Sequence, residues 1–411
     1  MTGERPGRVR LTGRGWGILA GAVVLGVAAY VAGVHELLLA ACFAGLLVLA
    51  ALALVILGRP GVDVRRDVVP PYPMTGMPLR VTLTLRPPSG RPAPRGLWRE
   101  YVPWDEVGGE LPPPDKSRTQ VLRYETVPPM RGPARLGAVS LRVTDPFGLA
   151  TNTRTAGTET SVTVLPFLAA LDDSGFEVSA GEGVTRLRDN RVSPSDDDLS
   201  TREYRRGDPM RRVHWRASAH HGELMVRQEE QHSVPEARLV LETRREWHVP
   251  AMLPPSADRP ESDAFEWCVS MLGSAAVHLT RLGYRIATFE TAGERQLTDP
   301  LPDEELAPGS AFLTALATVQ LTEAYDLHEI PAASSDAQGP LVAVVGSVDV
   351  ALARWLRAVR GRGRVGLVFA AGPVEPQAEE LLSGPGWSVR AVDPADDLGA
   401  VWVGTRELSR V

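Results

Sequence analysis

The sequence predicts a multi-domain protein with an N-terminal transmembrane helical hairpin, a small β-sandwich and a C-terminal doubly wound α/β domain. Three patterns in the 411 residues predict this order. Two long uncharged apolar runs open the chain, and short strands broken by proline follow. Strands then alternate with helices, which is typical of a parallel sheet with right-handed crossovers.

The two apolar runs cover residues 16–34 and 37–57 and are separated by His35 and Glu36. Each is close to the roughly 20 residues that a helix needs to cross the hydrocarbon core. The first run alone is compatible with a signal peptide, but the immediate second run argues against cleavage. Arginines flank both ends, so the positive-inside rule predicts a hairpin at 16–58 with the basic segment 1–15 and all soluble parts in the cytoplasm. Two buried helices of a soluble domain are the alternative interpretation.

Charge and composition exclude several function classes. The whole chain has a net charge of −6 and residues 1–59 have +3, so the remaining residues carry −9. An acidic body repels nucleic acid, and we therefore expect no nucleic-acid partner. Lys116 is the single lysine and lacks a glycine-rich context, which excludes a P-loop and argues against Schiff-base chemistry. Two cysteines far apart argue against a disulfide framework or a cysteine-based zinc site.

Residues 61–167 have the pattern of a β-sandwich-like domain. Apolar and polar residues alternate along several short segments, and Pro87 and Pro88 interrupt the chain between them. Such alternation predicts strands with one buried face. The predicted strands are 79–85, 120–127, 138–143 and 160–165.

Residues 236–411 alternate strands with helices. The predicted strands are 238–243, 285–290, 341–346, 365–370 and 387–392, and the predicted helices are 264–282, 310–321, 350–360, 377–382 and a last short one. This order predicts a doubly wound α/β domain. Ligands bind beyond the carboxyl ends of the strands in such sheets, so the turn after 239–241 is the place to look for chemistry.

A connector at 168–235 joins these two parts, and its segment 196–231 is rich in arginine. Asp208 and Pro209 predict the start of a helix over 209–221, Gly222 predicts its end, and a strand is expected at 224–227. Six arginines crowd fifteen residues: Arg202, Arg205, Arg206, Arg211, Arg212 and Arg216. They are compatible with an ion-pair network that locks two domains together or with a surface that docks an acidic partner or anion. Nucleic-acid binding, with Tyr204 and Trp215 stacking on bases, is a third interpretation that the acidic body disfavours.

The connector also carries a family motif. Its residues are Arg202, Glu203, Tyr204, Gly207, Asp208, Arg212, Val213, His214, Trp215, Ala219, Gly222, Glu223 and Leu224. A second motif upstream comprises Arg131, Gly132, Asp145, Pro146, Phe147, Gly148 and Leu149. Together they resemble the DUF58 family of membrane-associated bacterial proteins over essentially the whole chain. His220 departs from the arginine that the family usually has there.

The resemblance implies association rather than catalysis. Members have a transmembrane hairpin, a β-rich segment and a C-terminal part similar to a von Willebrand factor A domain. They are commonly encoded beside MoxR-type AAA+ ATPases and are thought to act with them in chaperone-like or cell-envelope-related assembly. We therefore expect a non-enzymatic adaptor at the inner (cytoplasmic) membrane, without a cofactor or small-molecule substrate. The motif residues, with Arg211 and Arg216, would dock the partner or lock the domains.

Von Willebrand A domains often bind partners through a metal held by an Asp-x-Ser-x-Ser loop after the first strand, where oxygen ligands suit Mg²⁺. The corresponding positions here are Glu242, Arg244 and Glu246. An arginine repels a cation, so we expect this metal loop to be degenerate and to hold no metal. The competing interpretation is a metal-dependent hydrolase or ligand-binding receptor that uses Asp208, His214 and the acidic run 196–198.

Overall fold

The computed structural model describes most of the chain as two compact units. The described residues are 8–57, 61–88, 93–172, 201–204, 210, 213, 215–227, 236–250, 260–293, 295–301, 306–324, 326–329, 339–361 and 365–403. The first unit comprises Met1–Phe167 and Ala251–Glu261, and the second comprises Leu168–Pro250 and Ser262–Val411. Each unit is described by itself below.

Two apolar helices open the first unit, as predicted: α1 (Gly13–Ala32) and α2 (His35–Leu57). Both are long and apolar enough to cross a membrane by length and composition. The turn between them lies at residues 33–34, just before the turn predicted at His35 and Glu36. Gly33 has a φ of 69° and ends α1, because glycine adopts this left-handed conformation without steric cost. His35 and Glu36 therefore belong to the first turn of α2, where a carboxylate is favoured by the helix dipole.

The described residues of the first unit form ten strands: β1 (Arg8–Leu11), β2 (Asp63–Val69), β3 (Leu79–Arg86), β4 (Gly96–Val102), β5 (Asp105–Glu110), β6 (Gln120–Thr126), β7 (Gly132–Leu136), β8 (Val139–Thr144), β9 (Ala150–Ala156) and β10 (Thr160–Val164). They form sheets of order β1-β9-β8-β4-β5, β2-β3-β6 and β10-β7. One core contains side chains from all three sheets, including Leu83, Trp98, Leu136, Leu141 and Val162. The four predicted strands are confirmed within two residues at each end. The segment before α1, predicted only as a basic terminus, contains β1 and pairs antiparallel with β9.

A buried ion pair joins two of these sheets. Arg66 of β2 donates to the Glu100 carboxylate of β4 at 2.6 Å, and their side chains are 5 % and 0 % exposed. Arg66 also donates to Thr160 Oγ1 of β10 at 2.6 Å. Burial raises the pKa of Glu100, and the charge of Arg66 opposes that rise. Through these two contacts Arg66 links β2 to β4 and β10, which are distant from it in sequence.

The described part of the connector belongs to the second unit. It contains β11 (Thr201–Glu203), the helix α3 (Trp215–His221) and β12 (Met225–Arg227), and the two strands pair antiparallel. The expected strand at 224–227 is confirmed. Of the helix expected over 209–221, the described residues form α3 from Trp215 to His221. Val213 lies before α3, and its N–H donates to the carbonyl of Met210 at 3.2 Å. Gly222 ends α3 with a φ of 76°, as predicted.

The rest of the second unit is the predicted α/β domain. Its strands are β13 (Glu236–Leu241), β14 (Arg285–Glu290), β15 (Leu341–Val345), β16 (Gly366–Ala370) and β17 (Trp387–Ala391). Its helices are α4 (Asp263–Arg281), α5 (Ala311–Thr318), α6 (Val350–Arg360), α7 (Pro376–Leu381) and α8 (Leu398–Val403). The strands form one parallel sheet of order β14-β13-β15-β16-β17. Every residue of β15 and β16 is buried, as expected for a sheet covered on both faces.

Candidate functional site

The strand order identifies the end of the sheet at which doubly wound domains generally bind ligands. Numbered within this domain, the order is 2-1-3-4-5, a doubly wound arrangement whose switch point lies between the first and third strands. These strands are β13 and β15. Residues that follow Leu241 and Val345 therefore line the position where ligands of such sheets bind.

A buried ion pair occupies this position. Arg244 donates from Nε to Glu242 Oε1 at 3.0 Å and from Nη2 to Oε2 at 2.8 Å. Oε1 also accepts the backbone N–H of Arg244 at 2.9 Å and the hydroxyl of Thr291, which follows β14. The Arg244 and Glu242 side chains are 3 % and 0 % exposed. Both carboxylate oxygens are thus engaged by a guanidinium in the two-pronged geometry that arginine favours.

The residues after Arg244 pack beside the ion pair. A 3-10 helix at Arg245–Trp247 brings the Trp247 ring to 4.9 Å from the Arg244 guanidinium. The carbonyl of Trp247 accepts the N–H of Ser347, which follows β15, at 2.7 Å. A Cβ on Gly346 would lie 1.9 Å from this carbonyl, so only glycine fits the approach. The chain itself therefore closes the space between β13 and β15.

Two further buried groups lie beside the ion pair. His248 Nε2 is 2.9 Å from the backbone carbonyl of Glu242, and burial lowers the pKa of this histidine. Cys268 of α4 places Sγ 3.6 Å from the carbonyl of Val345. Burial raises the pKa of its thiol, so the protonated form is favoured. These groups suit a closed, uncharged surrounding for the pair rather than nucleophilic chemistry.

Of the three metal-loop positions named from the sequence, two come together. Glu242 and Arg244 form the pair, whereas Glu246 is exposed. Within the described ranges, no group of three or more His, Cys, Asp or Glu residues is arranged to hold a metal. The sequence reasoning missed Thr291, although its place directly after a parallel strand predicts that it meets Glu242 at the same sheet edge.

The described connector residues make local hydrogen bonds around α3. Tyr204 N–H donates to the carbonyl of Leu224 at 2.7 Å, and Ser218 Oγ accepts the N–H of Met225 at 2.8 Å. Arg202 and Glu203 pair with β12, Ala219 is exposed, and Trp215 is 66 % exposed. The remaining candidates lie outside the described residues: Arg205, Arg206, Gly207, Asp208, Arg211, Arg212, His214 and the acidic run 196–198, together with the side chain of Arg216.

The upstream motif forms a turn between β8 and β9. The Asp145 carboxylate accepts the backbone N–H groups of Phe147 at 2.8 Å, Leu149 at 2.7 Å and Ala150 at 2.5 Å. Gly148 has a φ of 71°. Pro146 lies within the turn, while Arg131 and Gly132 lie at the start of β7, where Gly132 has a φ of 118° and pairs with Val164. The motif therefore specifies backbone shape, and the ring of Phe147 is 52 % exposed.

Comparison with known proteins adds no relative. No protein-family model matches the chain, and no curated protein matches it. What this chain does is therefore inferred from the chemistry of its own residues.

Proposed function

We propose that this chain is a membrane-anchored, non-catalytic interaction protein of the DUF58 type. Its α/β domain is von Willebrand A-like, with an arginine in place of the metal ion. The observation that carries the proposal is the buried pair of Arg244 and Glu242 at the switch point of the sheet. Since the position where such sheets bind ligands is filled by the chain's own charges, function shifts to the protein's surface.

The two apolar helices are the proposed anchor at the inner membrane. The most apolar windows of α1 and α2 are only 11 % and 22 % buried. Val24, Tyr30, Leu39 and Phe43 are each at least two-thirds exposed. Soluble proteins rarely expose so large an apolar surface, whereas lipid covers it readily. This supports a spanning hairpin over two core helices of a soluble domain.

The connector is the proposed docking surface. Trp215 is 66 % exposed on α3, within the arginine-rich segment 196–231. Tryptophan and arginine are the residues most enriched among those that dominate binding energy in protein interfaces. An arginine cluster favours an acidic partner surface. The motif resemblance implies that this partner is a MoxR-type AAA+ ATPase, with which the chain would act in chaperone-like or envelope-related assembly.

Affinity purification of the full chain from detergent-solubilised membranes tests the proposal. We expect an AAA+ ATPase, identified by mass spectrometry, to co-purify with the wild-type chain. Trp215→Ala should reduce its recovery at least tenfold, since an interface tryptophan of this kind is worth about 2 kcal/mol or more. Tyr101→Ala is the matched control, because Tyr101 is 65 % exposed on β4. Equal recovery with both variants would contradict docking through the connector.

A further inference from the structure

The turn at residues 145–149 is attached directly to the start of α1. Thr12, which precedes α1, donates from Oγ1 to the carbonyl of Gly148 at 2.7 Å and from its N–H to the carbonyl of Leu149 at 2.9 Å. A Cβ on Gly15 would lie 2.2 Å from the Leu149 carbonyl. The turn and the first turn of α1 therefore touch backbone to backbone, with no room for a side chain between them.

The end of α2 meets the same edge of the sandwich. Asn152 of β9 donates from Nδ2 to the carbonyl of Val55 at 3.1 Å. Leu149 and Ala150 share an apolar cluster with Val48, Ala51 and Val55 of α2. The turn thus lies level with the ends of both helices that join the sandwich, at the boundary between the apolar hairpin and the polar domain.

Three side chains at this level have the chemistry of a membrane interface. Phe147 at the tip of the turn is 52 % exposed, and Trp16 in the first turns of α1 is 60 % exposed. Arg14 Nη1 lies 3.9 Å from the position that a Cβ on Gly148 would take. Aromatic rings concentrate in the headgroup layer, and a guanidinium pairs with lipid phosphate.

We infer that the turn at 145–149 is an interfacial anchor in which Phe147 enters the headgroup region of the bilayer beside Trp16 and Arg14. The inference rests on the proposed membrane anchorage and extends it to the soluble sandwich. Lipid is the occupant because the turn that carries Phe147 is bound to the start of α1 through Thr12 and packs through Leu149 on the apolar end of α2. Three backbone hydrogen bonds to Asp145 hold the turn, so Phe147 enters the bilayer without an ordering cost. The sandwich would then keep one fixed orientation against the membrane.

Spin labels on the full chain in nanodiscs of phosphatidylcholine and phosphatidylglycerol test the inference. The test variant is Phe147→Cys in a Cys42→Ala background, and Tyr101→Cys in the same background is a control of similar exposure. The native Cys42, exposed on α2, reports on the hairpin itself. Cys268 stays in all three proteins because it is fully buried and unreactive. The measurement is the accessibility of each label to oxygen relative to a polar nickel chelate.

We expect the ratio of oxygen to nickel accessibility to be highest at 42, intermediate at 147 and low at 101. A label at 147 that matches the one at 101, while 42 reports lipid, would overturn the interfacial anchor and leave the spanning hairpin intact. A label at 42 that reports water would overturn the hairpin and the interfacial anchor together. The Phe147→Cys change keeps the turn intact, because Asp145 binds the backbone N–H at that position rather than the ring.

Discussion

Replacing Arg244 with alanine leaves the fully buried carboxylate of Glu242 without its guanidinium. Breaking a buried ion pair by removing one partner costs about 3–5 kcal/mol, because the remaining charge is uncompensated. The hydroxyl of Thr291 and one backbone N–H still reach the carboxylate, but neither carries a positive charge. We expect the free energy of local opening around β13 and β15 to fall by that amount.

Hydrogen exchange of the full chain, followed by mass spectrometry, measures this opening directly. Amides of β13 and β15 should exchange about 10²- to 4 × 10³-fold faster in Arg244→Ala, since each 1.4 kcal/mol is a factor of ten. The adjacent Arg245 is the matched control: its 2.8 Å ion pair with Glu323 is 42 % and 74 % exposed. Arg245→Ala should therefore lower the free energy of local opening by about 1 kcal/mol or less.

A double variant separates charge from packing. Glu242→Gln combined with Arg244→Met removes both charges and keeps most of the volume, so it should recover much of the lost protection. Exchange in Arg244→Ala no faster than in Arg245→Ala would refute the reasoning. A double variant as unstable as Arg244→Ala would show that packing, rather than charge compensation, dominates at this position.

Acidification, a glycine substitution and a topology reporter provide three further tests. Burial lowers the pKa of His248, so the unfolded chain binds a proton at this histidine more tightly than the folded chain does. The stability of the second unit, measured by thermal unfolding, should therefore fall as the pH drops below about 6.5. His248→Gln should flatten this dependence of stability on pH. Gly15→Ala should lower the free energy of unfolding by about 1–3 kcal/mol and expose the turn at 145–149 to protease, because the added Cβ meets the Leu149 carbonyl. Gly17→Ala is the control and should have neither effect, because a Cβ there meets open space. A reporter fused after Val411 should be active only in a form that works in the cytoplasm, and activity of a periplasmic reporter would contradict the proposed topology.

The strand β3 was predicted from its own alternating sequence, whereas β5 and β1, which are stabilised by neighbouring strands, were not predicted. β3 reads Leu-Arg-Val-Thr-Leu-Thr-Leu-Arg, and its alternating burial matches that pattern. β5 reads Asp-Glu-Val-Gly-Gly-Glu, has almost no apolar face and forms because β4 pairs with it along its length. β1 was missed for the same reason, since its pairing partner β9 lies about 140 residues away. Local propensity contains no signal for such long-range pairing.

The site was predictable in place but not in chemistry. The alternation of strand and helix pointed to the turn after β13 as the place to look for chemistry, and the presence of Arg244 led us to expect no metal there. That Arg244 turns back onto Glu242 depends on Thr291 from β14 and on Trp247 filling the space beside it. These are tertiary contacts between segments up to 49 residues apart. The sequence located Arg244 after this strand, and the structure added that its guanidinium binds both carboxylate oxygens of Glu242.

Calorimetric titration of the full chain with Mg²⁺, Mn²⁺ and Zn²⁺ tests the central claim most directly. The proposed function has the positive charge of Arg244 in place of the metal ion, and both Glu242 oxygens are already engaged by its guanidinium. It predicts only heats of dilution for all three metals after treatment of the protein with chelator. Saturable binding in the micromolar range would contradict it and would favour a metal-dependent hydrolase or receptor.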